Sequence, residues 1–145
     1  MHGIVVGVDG SPNSERALDW AMNEAGALHA PLTVVAVHEV MKGYWTGRPT
    51  PIDGDLPQLA ELRQAVDEMT RKIASRTSAP APASLDVHVV NGFAARELIA
   101  ASQDADLLVV GSRGGGGFAK LVMGSVSSQV IQHAACPVVV IPHPR

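Results

Sequence analysis

The sequence predicts an α/β fold: one doubly wound sheet of five parallel strands with helices on both faces. Three observations carry this. Short apolar runs, too short for helices, recur along the chain at 4–8, 32–37, 85–90, 107–110 and 138–141. Between them lie stretches whose apolar residues return every three or four positions, the period of a helix packed on one face. The chemically pointed residues gather just after two of the runs, at Asp9-Gly10-Ser11 and at 111–117. A βαβαβαβαβ alternation argues a parallel sheet covered on both sides.

The elements follow in order. Residues 4–8 form a β-branched run ending in Asp9-Gly10, a strand buried on both faces. Ser11 is the expected N-cap of the next helix and Pro12 its first residue. Ala17, Leu18, Ala21, Met22, Ala25 and Leu28 make its inward face, and Pro31 is a breaker beyond its end. Residues 32–37 are the second strand. Residues 41–57 carry glycines and prolines with no period and read as a loop long for a compact domain, a candidate lid in which Tyr44, Trp45 and Arg48 would fold over a ligand. A second helix is expected over 57–76, with Leu59, Leu62, Val66, Met69 and Ile73 inward, then a connector over 77–84 and a weakly alternating strand over 85–90. Asn91-Gly92 turns into a short helix over Ala94–Ser102 with Ala94, Ala95, Leu98 and Ile99 inward. The fourth strand, 107–110, stops at Gly111. A fourth helix begins at Gly124-Ser125, with Val126, Val130 and Ala134 on one face. The fifth strand, Val138–Ile141, is bracketed by Pro137 and Pro142.

Right-handed crossovers leave the strand order open. Ligands of such sheets bind at the carboxyl ends of strands, where the winding reverses. The pointed ends of strands one and four suggest that these two are neighbours, which gives the order 3-2-1-4-5. At 145 residues the chain is expected to be one domain over 1–145, large enough for a real core. Net charge is −3 and aromatics are 3%, so neither a basic stripe nor a stacking platform for nucleic acid is expected. No apolar run approaches membrane-spanning length, and Met1-His2 runs straight into a strand, so no signal peptide is expected. One cysteine, Cys136, excludes an internal disulfide, and a cytoplasmic location is the default expectation.

The stretch 106–131 is the chemical centre of the sequence. Gly111, Gly114, Gly115, Gly116 and Gly117 fall between a strand and a helix. Without Cβ atoms, backbone N–H groups approach an anion closely. The helix start adds unpaired N–H groups and a partial positive charge. Ser125 would serve as N-cap or donate to a phosphate oxygen. Arg113 stands in the loop, where its charge suits phosphates; Lys120 reads as solvated. There is no GxxxxGK[ST], hence no P-loop lysine, and no GxGxxG after the first strand.

The spacing Gly111, two residues, Gly114, nine residues, Gly124-Ser125, with the opening IVVGVDGS and the closing CPVVVIP, resembles the universal stress protein family, in particular its ATP-binding single-domain branch. The resemblance runs over nearly the whole chain. It implies a Rossmann-like sheet of the adenine nucleotide alpha hydrolase-like kind, with the same strand order. It implies Gly111 near the ribose, and Gly114, Gly124 and Ser125 along the polyphosphate. Val126 and Ser127 would follow on the first helical turn, and Val110 would help enclose the nucleotide. Asp9 would lie beside the nucleoside, and Val37 would contact adenine chiefly through its backbone. Asp9 read alone caps or shapes the turn, a role compatible with binding; a metal held with the phosphates would have only this one carboxylate.

The histidines His2, His29, His38, His88, His133 and His143 show no metal-ligand spacing and read as structural or solvated. Cys136 lacks a partner thiol and reads as a small core residue. Ser125, Ser127 and Ser128 have no histidine–carboxylate constellation nearby, so acyl transfer is not expected. In the order above, Val138, Val139, Val140 and Ile141 form an apolar edge strand, which invites pairing. The resemblance implies that two such edges pair across a twofold axis to make a homodimer. The expected function is that of a dimeric, ATP-binding, nucleotide-dependent regulatory module in stress response, with or without Mg2+. The alternatives are a slow ATPase and a binder of another adenine nucleotide such as cyclic AMP. No arginine finger or positioned base is visible, so efficient hydrolysis is not expected.

Overall fold

The computed structural model describes residues 2–38, 55–112 and 124–142, and of 55–58 only the backbone. The elements are β1 (Ile4–Val8), α1 (Pro12–Leu28), β2 (Pro31–His38), α2 (Asp55–Arg76), β3 (Ser84–Asn91), α3 (Ala94–Ser102), β4 (Leu107–Gly111), α4 (Ser125–His133) and β5 (Val138–Ile141). All strand pairs are parallel, and the sheet order is β3-β2-β1-β4-β5, as the strand-end chemistry suggested. β1 sits at the centre, with Ile4 opposite Leu32 on one side and Leu107 on the other.

Alternation along the strands divides the core into two layers. Ile4, Val6 and Val8 of β1 face the same layer as Leu18 and Met22 of α1 and Val66 and Ile73 of α2. Val5, Val35, Leu108 and Val110 point the other way, against Leu98 of α3 and Val130 of α4. Helices therefore cover both faces, α1 and α2 on one and α3 and α4 on the other. Leu18, Leu32 and Leu108 have no exposed surface, so truncating any of them to alanine would cost about 2–5 kcal/mol.

Helix α1 starts where expected. Ser11, in extended backbone, accepts a hydrogen bond from Ser14 N–H at 3.2 Å, and Pro12 follows at the first helical position. The helix ends on His29 in the left-handed conformation (φ 51°), with Ala30 N–H folded back onto Ala25 O at 2.8 Å. Pro31 does not merely stop the helix: it is the first residue of β2, opposite Ser84. Leu28, expected inward, is 54% exposed. The last turn buries Gly26 instead, because the backbone carbonyl of Pro80 comes down onto it. Helix α2 begins at Asp55, two residues before Pro57, whose missing N–H is harmless in a first turn. The rest of the expected lid, 41–54 with Tyr44, Trp45 and Arg48, lies outside the described residues. β3 is an edge strand with Leu85 41% exposed, which explains its weak alternation.

Candidate functional site

The chain leaves β1 for β2 on one side and β4 for β5 on the other, so the segments after β1 and β4 diverge at the carboxyl end of the sheet. A crevice at such a point is where open α/β sheets take ligands.

At the end of β1 the backbone turns sharply. Gly10 has φ 84°, a conformation that disfavours any side chain. Asp9 Oδ1 accepts from Ser11 N–H at 2.9 Å, and Asp9 N–H donates to Ser14 Oγ at 3.2 Å. Ser14 Oγ in turn donates to Ser11 O at 3.0 Å. The turn-shaping role of Asp9 is thus observed, and its carboxylate stays on the exposed rim near the positive start of α1.

At the end of β4, Ser112 is the hub. Its N–H donates to Ile141 O at 2.8 Å. Its carbonyl accepts from Gly124 N–H at 2.6 Å and from Ser127 Oγ at 3.1 Å. The two ends of the glycine-rich segment are therefore bonded to each other. The middle of that segment, with Arg113, Gly114 and Lys120, lies outside the described residues.

Helix α4 opens differently from the expectation. Gly124, in extended backbone, is the N-cap, and Ser125 is already the first helical residue, so Ser125 is not the cap. The reason lies in Ser127, which is 2% exposed and whose hydroxyl reaches back to Gly124 O at 3.0 Å as well as to Ser112 O. That hydroxyl ties the start of the helix to the end of β4. What remains at the helix start are the backbone N–H groups of Ser125, Val126 and Ser127, which have no acceptor within the helix. Val126 is half-buried against the second core layer.

The apolar members of the expected set are in the second layer. Val110 is 4% exposed and pairs with Val140; Val37 is half-buried and pairs with Val90. Beside Val37, His38 Nδ1 lies 3.2 Å from Asn91 Oδ1. The structure ties Gly124 and Ser127 to Ser112, the residue after Gly111, with Ser125 and Val126 on the same first turn of α4 and Asp9 at the end of the neighbouring strand. Val138, Val139 and Val140 are half-buried and Ile141 is buried, on the strand at the sheet edge.

Sequence reasoning missed Asn13 and Ser112. Asn13 is 2% exposed and fills the space over Gly111, where an added Cβ would stand 3.0 Å from Asn13 Cγ. A signal was available: Asn13 continues the stripe Ala17, Ala21, Ala25 backward by four, a polar residue on an apolar face. Cys136 is half-buried against the second layer. Burial, and then the negative charge of Asp106, push its thiol pKa up, which disfavours the reactive thiolate. His133 stands in the last turn of α4. Among the described residues, no three His, Cys, Asp or Glu side chains stand together as a metal site, and no helix is long and apolar enough to cross a membrane.

Comparison with known proteins accords with this architecture. The model of the universal stress protein family matches residues 1–142. Universal stress protein Rv2005c of Mycobacterium tuberculosis is 35% identical over 141 residues, covering 97% of this chain and 48% of that protein. The chain spans about half the length of the curated relatives it matches. Among solved structures, UspA from Lactobacillus plantarum is similar with TM-score 0.76 and 26% identity over 97% of each chain. A universal stress protein in complex with cAMP gives TM-score 0.66 and 27% identity over 97% of this chain and 95% of that one. One from Archaeoglobus fulgidus in complex with dAMP gives 0.62 and 28% over 96% of each. With a match running from β1 through β5, the chain belongs to the universal stress protein family.

Proposed function

We propose that the chain binds an adenine nucleotide, ATP first among them, in the crevice between the ends of β1 and β4, and acts as a dimeric, nucleotide-dependent regulatory module in stress response in the cytoplasm. The observation that carries this is the closure at Ser112, which ties the two ends of the glycine-rich segment together at the start of α4, where the N–H groups of Ser125, Val126 and Ser127 have no acceptor within the helix. Such a site holds phosphates by backbone amides and needs no lysine. In this reading the amides of Ser125, Val126 and Ser127 take phosphate oxygens, Gly114 and Arg113 complete the cradle, and Asp9 accepts from the nucleoside. Val37 and Val110 border the base and ribose. A Mg2+ ion would draw most of its ligands from phosphates and water, since Asp9 offers one carboxylate. The edge strand β5, through Val138–Ile141, is the proposed twofold contact. That similar structures hold cAMP and dAMP favours a second reading, in which another adenine nucleotide is preferred. Slow hydrolysis is a third, and it requires turnover that Asp9→Ala abolishes.

Calorimetric titration with ATP, ADP, AMP and cyclic AMP tests the proposal. ATP is expected to bind most tightly, and Gly124→Val to weaken it at least tenfold while the melting temperature holds within a few degrees. Failure of all four nucleotides to bind would sink the proposal. Tightest binding of cyclic AMP would replace ATP as the ligand.

A further inference from the structure

The side chain of Asn13 joins three segments that are far apart in sequence. Its Nδ2 donates to Ile141 O at 3.1 Å and stands 3.4 Å from Pro142 O, at the end of β5. Its Oδ1 accepts from Ser112 Oγ at 3.3 Å, at the entrance to the glycine-rich segment. One turn on, Arg16 donates to Pro142 O at 2.9 Å from the same helix. Ser112 N–H reaches Ile141 O as well, so Ile141 O, Asn13 and Ser112 form a closed triangle of hydrogen bonds. A buried primary amide is costly unless its donors and acceptor are matched, and here they are matched by groups of the loop and of the edge strand.

We propose that Asn13 is a positioning residue that couples the nucleotide loop to the end of β5. It rests on the reading of the site given above. Ser112 cannot shift relative to β5 without breaking the triangle, and Ser112 also holds Gly124 and Ser127. A ligand that tightens the loop therefore tightens the carboxyl end of β5, and by linkage anything that fixes β5 favours the ligand.

Amide hydrogen exchange on the whole chain, with and without ATP, tests this. Without nucleotide, Asn13→Ala is expected to speed exchange at Ser112 and Gly124 at least tenfold, and to leave Val6 and Val34 at the sheet centre unchanged. With ATP, the wild-type chain is expected to slow at Ser112, Gly124 and 138–141 together. In Asn13→Ala the 138–141 response disappears and ATP affinity falls about tenfold. Should Asn13→Ala not fold, Ser112→Ala cuts the same link from the other side, with faster exchange at Gly124 expected. Unchanged exchange at Ser112 and Gly124 in these variants, or a 138–141 response that survives in Asn13→Ala, overturns the coupling. Absence of ATP binding to the wild-type chain defeats the functional proposal alone, because the nucleotide-free exchange still decides the role of Asn13.

Discussion

Replacing Gly111 with alanine tests whether the roof over the loop entrance is rigid. Gly111 closes β4 in ordinary extended backbone, so alanine meets no backbone strain there. On conformational entropy alone the change would stabilise the protein by about 0.4–1 kcal/mol. The space says otherwise. The new Cβ would stand 3.0 Å from Asn13 Cγ, 3.1 Å from Oδ1 and 3.3 Å from Nδ2. Relief needs Asn13 to retreat by a few tenths of an ångström. Its amide is held at 3.1 Å by Ile141 O and its Oδ1 at 3.3 Å by Ser112, so retreat stretches both bonds. Overpacking of this kind costs about 1–3 kcal/mol. Net of the entropy gain, the expected loss centres on about 1.3 kcal/mol, or roughly 4 °C in melting temperature for a chain of this size. Thermal melting by circular dichroism reads it. The same substitution made together with Asn13→Ala should cost nothing further, because the obstructing side chain is gone. A Gly111→Ala protein that melts at or above wild type would refute the rigid roof, as would an equal cost in both backgrounds.

Gly26→Ala should also destabilise, against the usual gain of about 1 kcal/mol for alanine over glycine in a helix. Its Cβ would run into Pro80 O, and the connector cannot simply lift away, since Thr77 Oγ1 donates to Asn23 Oδ1 at 2.6 Å and Ala83 N–H to Ala30 O at 3.0 Å. Urea unfolding should show a loss of about 2–3 kcal/mol, and a gain would mean that the connector does not pack there. Asp106 supplies an acid-sensitive tie. Gly3 N–H donates to its Oδ2 at 2.9 Å and holds its carboxyl below the ordinary aspartate range of about 3.9. The unfolded chain therefore takes up this proton first as pH falls, so the contribution is present above about pH 4 and lost as pH drops through the lower folded value. Asp106→Asn should flatten that part of the acid limb in melting curves run from pH 5 to pH 2.5; parallel curves would show that the tie contributes nothing.

Much of this protein was legible before any coordinates. The elements follow from period and composition within windows of a few residues, and Ser11-Pro12 marked the start of α1 because capping chemistry is local. The sheet order followed from the placement of polar and glycine residues after strands one and four, since ligand chemistry gathers where the winding reverses. The misplaced details are those in which distant chain decides. Leu28 lies on the periodic face yet is exposed, while Gly26, off that face, is buried under the Pro80 backbone. The cap of α4 shifted from Ser125 to Gly124, because the hydroxyl of Ser127 turns back to Gly124 and Ser112. Asn13 acquired its role only when the end of β5, 128 positions away, was laid beside the end of β4. Hydrophobic period and capping are properties of neighbours along the chain, so the sequence by itself determined the strands, the helices and which loop carries glycine. Which carbonyl meets which buried amide depends on where the folded sheet places remote backbone, and that was decided by tertiary structure alone.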